Sequence, residues 1–543
     1  MVVTGMPHCV GAFQNNPMKK LKTSVSPTKT ALFAGATALM ALAPNMDAQS
    51  AVDALLNKLE QKGVLTTSEA DELKAESAAD QTNEVSMMLS AERAAEPTNA
   101  ASDISRFKMP DSIKSMQLYG DFRLRYEYRG VDNVPGSAQD IYKRERFRYA
   151  LRVGVRGDLY DYWSYGIQLQ TANNPRSPWD TFGNNTTSGS DTPSDKNSSG
   201  IYLGQAFLNW HPADWYEMTA GRMPMPLYTT PMVWDSDINP EGAFEKFKYT
   251  VANVDLFVDF AQFDYQDPAS ATQVPSSDTF VLAWQMGAKV NVSKDMFFKI
   301  APMLYTYTGE GTGNGLNQSF VGQGSPTGTN PGVPGGTAYP PLTAGQAQQA
   351  YNQEGINNLL IMEIPAEYDF KIWNTPVGTV QTRLFGDFAY NFQGNDRAEA
   401  AYRANPAAFP GLSGPMNGQN KAYQAGVGFG TAGPVYGPTQ GLVYGSTSKK
   451  NTWETRFYYQ HIEQYSLDVN LLDSDFFEGR ANLQGFYSAF AYSFTDAIIG
   501  TIRYGYANQI KSTLGTGGNN LDIPGINPIK NYNLVQLDLT WRF

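Results

Sequence analysis

The sequence predicts an all-β fold, a transmembrane antiparallel β-barrel of about sixteen strands preceded by a short N-terminal helical periplasmic segment. Three observations lead there. From Met116 to Phe543, run after run alternates apolar and polar residues, the period of a strand with two different faces. The connections between those runs alternate short and long. No apolar run of ~20 residues could cross a bilayer as a helix, so only a closed barrel could carry this chain through a membrane.

The composition agrees. Charged residues make up only 17% of the 543 residues and aromatic residues 13%, with 31 Tyr, 29 Phe and 50 Gly, and the mean hydropathy is -0.39. That suits many strands with one wet face joined by glycine-rich loops. The net charge of -11 gives no support for a nucleic-acid partner. Cys9 is the single cysteine and lies before the expected mature start, so neither a disulfide framework nor a Cys-based metal site is expected. His8, His211 and His461 have no ligand spacing, and no Walker A loop, dinucleotide fingerprint or nucleophile elbow occurs. We therefore expect no cofactor, no metal and no catalytic residue.

In chain order, Lys19, Lys20, Lys22 and Lys29 precede the short apolar run Thr30–Ala43, which reads as a secretory signal over residues 1–48, with Met18 an alternative start. Residues 49–110 read as a helical periplasmic segment: Ala51–Leu59 is amphipathic, and Thr66 with Glu69 makes a capping box. It reads equally as a solvated spacer and as a module for oligomerisation or envelope tethering. Residues 111–543 read as the barrel.

The barrel begins with 116–129, where Leu118, Phe122, Leu124, Tyr126 and Tyr128 share one face and Asp121, Arg123, Arg125, Glu127 and Arg129 the other. The hairpin 143–172 follows. Its first strand carries Arg144, Arg146, Arg148, Arg152 and Arg156 on one parity and Phe147, Tyr149, Leu151, Val153 and Val155 on the other. So many guanidinium groups need water or anions in front of them, and the apolar face needs core or lipid. Thirteen further strands are expected between Gly200 and Phe543, two of them Met296–Tyr307 and Asn357–Trp373. The short turns fall at one end, the periplasmic one, and the long loops outside; the long connection 431–450 breaks that alternation and leaves room for an extra hairpin. Trp163, Trp210, Trp215, Trp373, Trp453 and Trp541 lie near the short-turn end, as an aromatic girdle would place them.

Two loops differ in kind. Residues 310–350 are rich in Gly, Pro and Thr and nearly uncharged, which suits a surface loop. Residues 222–242 mix Met, Pro and Trp with acids. An inward fold reconciles the two, with Met223, Met225 and Trp234 on the wall and the acids facing the arginines. Trp234, Asp235, Asp237, Asn239 and Glu241 are thus expected in a constriction loop. The spacing of Asp235, Asp237, Asn239 and Glu241 is calcium-loop-like, but Pro240 and Lys246 stand where such a loop needs Gly and Glu.

The segments RFRYALRVGVRGDL (146–159), GQAFLNWHPADWYEMTAGRMPMPL (204–227), VWDSDINPEGA (233–243) and LLDSDFFEG (471–479), with the C-terminal Phe543, resemble bacterial outer-membrane porins, most closely the family catalogued as putative porins. The helical leader 53–76 resembles leaders that precede such barrels. The resemblance implies a pore in outer-membrane lipid for small hydrophilic solutes, and a homotrimer. Trp541 and Phe543 resemble the signal read by the outer-membrane assembly machinery. Within that frame Arg123, Arg125, Arg144, Arg146, Arg148, Arg152 and Arg156 form a pore-lining basic patch, which would steer anionic solutes or serve as a balanced solvated lining. The competing reading is an envelope-tethering protein with the barrel as anchor. An outer-membrane enzyme ranks last, because no motif groups the Ser, His and acidic residues.

Overall fold

The computed structural model describes residues 110–543 apart from 133–140, 173–176, 184–199, 267–278, 310–355, 376–377, 405–408, 410, 432–448 and 517–527. The expected signal peptide (1–48), the helical segment (49–110) up to Pro110 and nearly all of the long connection 431–450 lie outside the described residues.

Nineteen strand segments form one antiparallel sheet. Three pairs of segments lie end to end beside a shared neighbour, so sixteen strands circle the barrel. They are β1 (Gln117–Asp132), β2 (Ile141–Asp158), β3 (Trp163–Ala172, continued by Asp180–Thr181), β4 (Gly200–Ala213), β5 (Tyr216–Arg222) and β6 (Glu241–Val251). Next come β7 (Val254–Gln266), β8 (Thr279–Ser293), β9 (Met296–Ile300 and Met303–Thr308), β10 (Leu360–Glu363 and Ala366–Thr375) and β11 (Gly378–Asn391). The ring ends with β12 (Lys421–Gly430), β13 (Trp453–Ile462), β14 (Leu483–Ser493), β15 (Ile498–Gln509) and β16 (Asn531–Arg542). Closure comes from β1, which pairs with both β2 and β16. Strands β12 and β13 pair directly, so no hairpin intervenes between them in the barrel wall.

The outward parity is apolar and exposed, including Leu118, Ile167, Leu169, Leu208, Met286, Leu384, Phe486 and Ile502. This is the surface a lipid-embedded barrel needs. At the short-turn end the Trp163 and Trp210 rings stack 6.0 Å apart, Trp215 lies over Phe247 at 6.3 Å, and Trp541 meets Phe543 at 5.0 Å. Phe543 is bonded in both directions to Gly120, and its ring fills the space a Cβ at Gly120 would need.

Two expected strands are interrupted. Pro302 and Pro365 have no N–H to give, so β9 and β10 each lose a ladder bond side by side. Their carbonyls still accept, from Met286 and Ala301 respectively, and the wall stays continuous.

The apolar core lies inside the barrel. Residues 223–240, between β5 and β6, fold inward and bury Met223, Met225, Leu227, Met232 and Val233 against wall residues Phe244, Phe263, Val281, Met303 and Tyr305. Each such side chain contributes roughly 1.5–3 kcal/mol when fully buried. Residues 463–482, between β13 and β14, also fold inward and bury Leu467, Val469, Leu471, Phe476 and Phe477. Between β11 and β12 the chain forms helix α1 (Gly394–Ala404), whose Ala398 and Ala401 meet Tyr465 and Leu514 in a separate small cluster.

Candidate functional site in the barrel lumen

The two inward loops span the lumen and hold each other. The Asp235 amide donates to the Leu471 carbonyl at 2.6 Å, and the Asp473 amide to the Pro231 carbonyl at 3.1 Å. Asp235 Oδ2 accepts from the Ser474 amide at 3.0 Å. The first loop reaches the far wall at Tyr228, whose amide and carbonyl are both bonded to the Gln285 side chain at 2.8 Å. Beside it, Thr229 donates to Glu363 at 2.7 Å and Thr230 donates to Asp387. The second loop reaches the same side through Asp468, which accepts from the Tyr265 and Tyr307 hydroxyls at 2.9 and 2.8 Å.

On the opposite wall sit the arginines of β1 and β2. Arg123 pairs with Asp121 at 2.6 Å. Arg125 is 3% exposed; it grips Asp538 through two bonds of 2.8 and 2.9 Å, donates to Asp475 at 2.8 Å, and lies 3.9 Å from the ring centre of Trp179. Arg129, Arg146 and Arg148 surround Glu127, which is fully buried, with ion pairs at 2.9 and 3.7 Å for Arg129 and Arg148. Arg144 stands opposite Arg129 in the β1–β2 register. Arg152 pairs with Asp121 at 3.1 Å and with Asp237 at 3.5 Å. Arg156, at the rim, donates to Gln117 at 3.1 Å. The middle of this row is a buried ion network rather than an open electropositive face, because the second loop delivers Asp475 and Glu478 into it.

The acids of the first loop divide. Asp237 faces Arg152. Asp235 turns toward the second loop and accepts the Asp237 and Ser474 amides, closing a local turn. Asn239 accepts from Gln205 at 3.1 Å, and the Trp234 indole donates to the Ile238 carbonyl at 3.0 Å while its ring meets Phe263 edge-on. Glu241 is the first residue of β6 and pairs with Arg222 on the rim, outside the crossing segment. These oxygens point to four different partners and do not converge on a cation. Among the described residues no group of three or more His, Cys, Asp or Glu side chains is arranged to hold a metal.

Several lumen residues were not singled out by the sequence. Along one hydrogen-bonded row the inward residues run Arg383, Gly428, Arg456, Ala489, Arg503, Gln536, Glu127. Arginine alternates with Gly or Ala around one third of the wall, and the small residues leave room for the guanidinium groups beside them. Arg383 pairs with Glu367 at 3.2 Å, and Arg503 pairs with Asp538. Arg456 forms no ion pair among the described residues and lies 5.1 and 5.6 Å from the ring centres of Tyr487 and Tyr458. Strand parity marks each of these residues singly; the row exists only once the register is known.

The loop carboxyls carry a pH response. Burial, then the neighbouring Asp475 charge, pushes Asp473 up to about 7, against the amides of Asp475 and Phe476 that bond its carboxylate. Burial also pushes Asp235 well up, helped by Asp237 and Asp473. Burial opposes ionisation of Asp475 too, but Arg125 and Arg129 override it and hold that carboxyl low. A carboxyl raised on folding contributes stability that is complete below its unfolded value, near 4, and is lost as pH rises through about 7. We expect the loop tip to gain negative charge as pH climbs from 5 to 8, so any ion flow past it should shift toward cations across that range. Asp473→Asn should flatten this dependence in reversal-potential measurements, and an unchanged pH profile would assign the response elsewhere.

The family described as Putative porin matches residues 135–543. Among solved structures, a multiply substituted variant of the Rh. blastica porin is 9% identical with a TM-score of 0.35, over 79% of this chain and 100% of that one. A triple mutant of the Rhodopseudomonas blastica porin is 10% identical with a TM-score of 0.34 over the same shares. No curated protein matches.

Proposed function

The chain belongs to the Putative porin family of outer-membrane β-barrels, and from that premise we propose that it is a water-filled channel for passive diffusion of small hydrophilic solutes that favours anions. The observation that carries the preference is the placement of unpaired charge. Arg456, Lys289 and Lys299 reach the lumen without an ion pair among the described residues. The arginines of β1 and β2, by contrast, are largely neutralised by Glu127, Asp475 and Asp538. The two interlocked loops narrow the path, and their Asp237 and Asp475 pair with Arg152 and Arg125 at its wall, so size and charge are selected in one zone. In this reading the short turns are periplasmic, Trp541 and Phe543 form the assembly signal, and the functional unit is a homotrimer.

Purified protein in a planar bilayer tests the proposal. In a KCl gradient the reversal potential should have the sign of a chloride-selective pore, and Arg456→Gln should move it toward zero. A cation-selective parent would refute the anion preference, and a bilayer that stays silent would refute the channel.

A further inference from the structure

A second basic cluster lies on the wall across from the arginines, near the short-turn end. Lys246 of β6, Lys289 of β8 and Lys299 of β9 point inward, as do Phe257 of β7 and Phe297 of β9, and all five are half-buried. Lys289 and Lys299 are direct cross-strand partners. Like charges placed so repel, and the carboxylates nearby are already engaged. Asp259 is held by Lys246 at 3.5 Å, Asp255 accepts from Asn291 and Thr250 at 2.9 Å each, and Glu367 is held by Arg383. Neither Lys289 nor Lys299 has an ion pair among the described residues.

The surface between these ammonium groups is aromatic. The Phe257 ring lies 4.7 Å from Lys246 Nζ and 5.5 Å from Lys299 Nζ, and the Phe297 ring lies 4.5 Å from Lys289 Nζ. Tyr228, at the tip of the first inward loop, closes the upper side with its ring 3.5 Å from Lys299 Nζ. Gly287 makes this floor possible: a Cβ there would fall 1.9 Å from the Phe257 ring. Aromatic faces hold the ammonium groups in position while no anion is present. A bare inorganic anion would need the lysines alone. The half-buried rings of Phe257 and Phe297 add an apolar surface beside the lysines.

We propose that Lys246, Lys289, Lys299, Phe257 and Phe297 form a solute subsite for small aromatic carboxylates, with the carboxylate between Lys289 and Lys299 and the ring against the two phenylalanines. The subsite rests on the channel reading above and adds to it a class of solute.

The test is block of chloride current through the full-length protein in a planar bilayer, with benzoate, acetate and inorganic phosphate as probes. Benzoate should halve the current at about a tenfold lower concentration than acetate, the margin that ring contacts supply. Lys289→Gln with Lys299→Gln should weaken block by benzoate and acetate together. Phe257→Leu with Phe297→Leu should remove the advantage of benzoate and leave acetate unchanged. The comparison in the parent protein needs no variant to fold. Equal block by benzoate and acetate, or stronger block by phosphate, in a channel that prefers chloride would overturn the subsite and leave the porin reading standing. A cation-selective conductance would overturn the anion preference and the subsite with it, and a silent bilayer would overturn the channel reading itself.

Discussion

Glu127→Gln should destabilise the barrel by about 3–5 kcal/mol, the cost of leaving buried charges without their partner. Four guanidinium groups converge on this one carboxylate: Arg129 at 2.9 Å, Arg148 at 3.7 Å, Arg125 at 3.8 Å, and Arg146 closer still. The Gln536 amide also donates to it at 2.9 Å. Glutamine keeps the shape and one acceptor but removes the charge that all four guanidinium groups share. The measurement is urea unfolding in lipid vesicles, followed by tryptophan fluorescence. Arg156→Gln is the matched control, since Arg156 is solvent-exposed and should cost under about 1 kcal/mol. A Glu127→Gln barrel as stable as the control would mean that water reaches the network.

The second large effect is on conductance. Deleting 228–238 should raise single-channel conductance, and so should deleting 466–479, because each segment fills part of the lumen. The two deletions should not add. Each loop is fixed partly by the other, through the bonds of Asp235 to Leu471 and Ser474 and of Asp473 to Pro231. Removing one frees the other to move, so each single deletion should also broaden the current noise. The double deletion should give a wide, quiet pore with about twice the parent conductance or more, as expected when an internal plug leaves a barrel of this size. Single deletions that leave conductance unchanged would place both loops outside the conducting path.

These effects were unequally legible in the sequence. The arginine parity of β2 and the sixteen strands could be read because alternation is a local property of the chain. The inward fold of 223–240 could be read because Met, Pro and Trp beside acids suit neither open water nor lipid. The same mixture occurs in Leu471, Leu472, Asp473, Asp475, Phe476 and Phe477, but nothing local to that loop says where it folds. Its role depends on Arg125 and Arg129, about 350 residues earlier in the chain. The breaks at Pro302 and Pro365 are visible as prolines, but the alternation on either side reads straight through them. Helix α1 has a local signal as well, in the Ala, Glu and Arg of 396–404, although it sits inside a long connection. Phe477 and Glu478 could not have been read: both adopt left-handed backbone angles, φ 66° and 56°, at roughly 1–2 kcal/mol each. Burial of the Phe477 ring and the Glu478–Arg129 pair at 3.1 Å offset that strain.

The Arg125–Asp538 bond joins the first strand to the last. It therefore cannot exist until the final strand has docked, and the same holds for the bond from Gln536 to Glu127. Until then the β1–β2 hairpin holds its arginines with Asp121 and Glu127 as counter-charges on the same hairpin, and it must stay hydrated. A slip of one residue at the seam would set Leu537 or Leu539 inward against Arg125 in place of Asp538. Such a misaligned ring would leave a cation facing a leucine at the moment of closure and would reopen. The arginines of the first strands thus proofread the arrival of the last one, and a fault in them should show first as slow maturation, before any change in the finished channel.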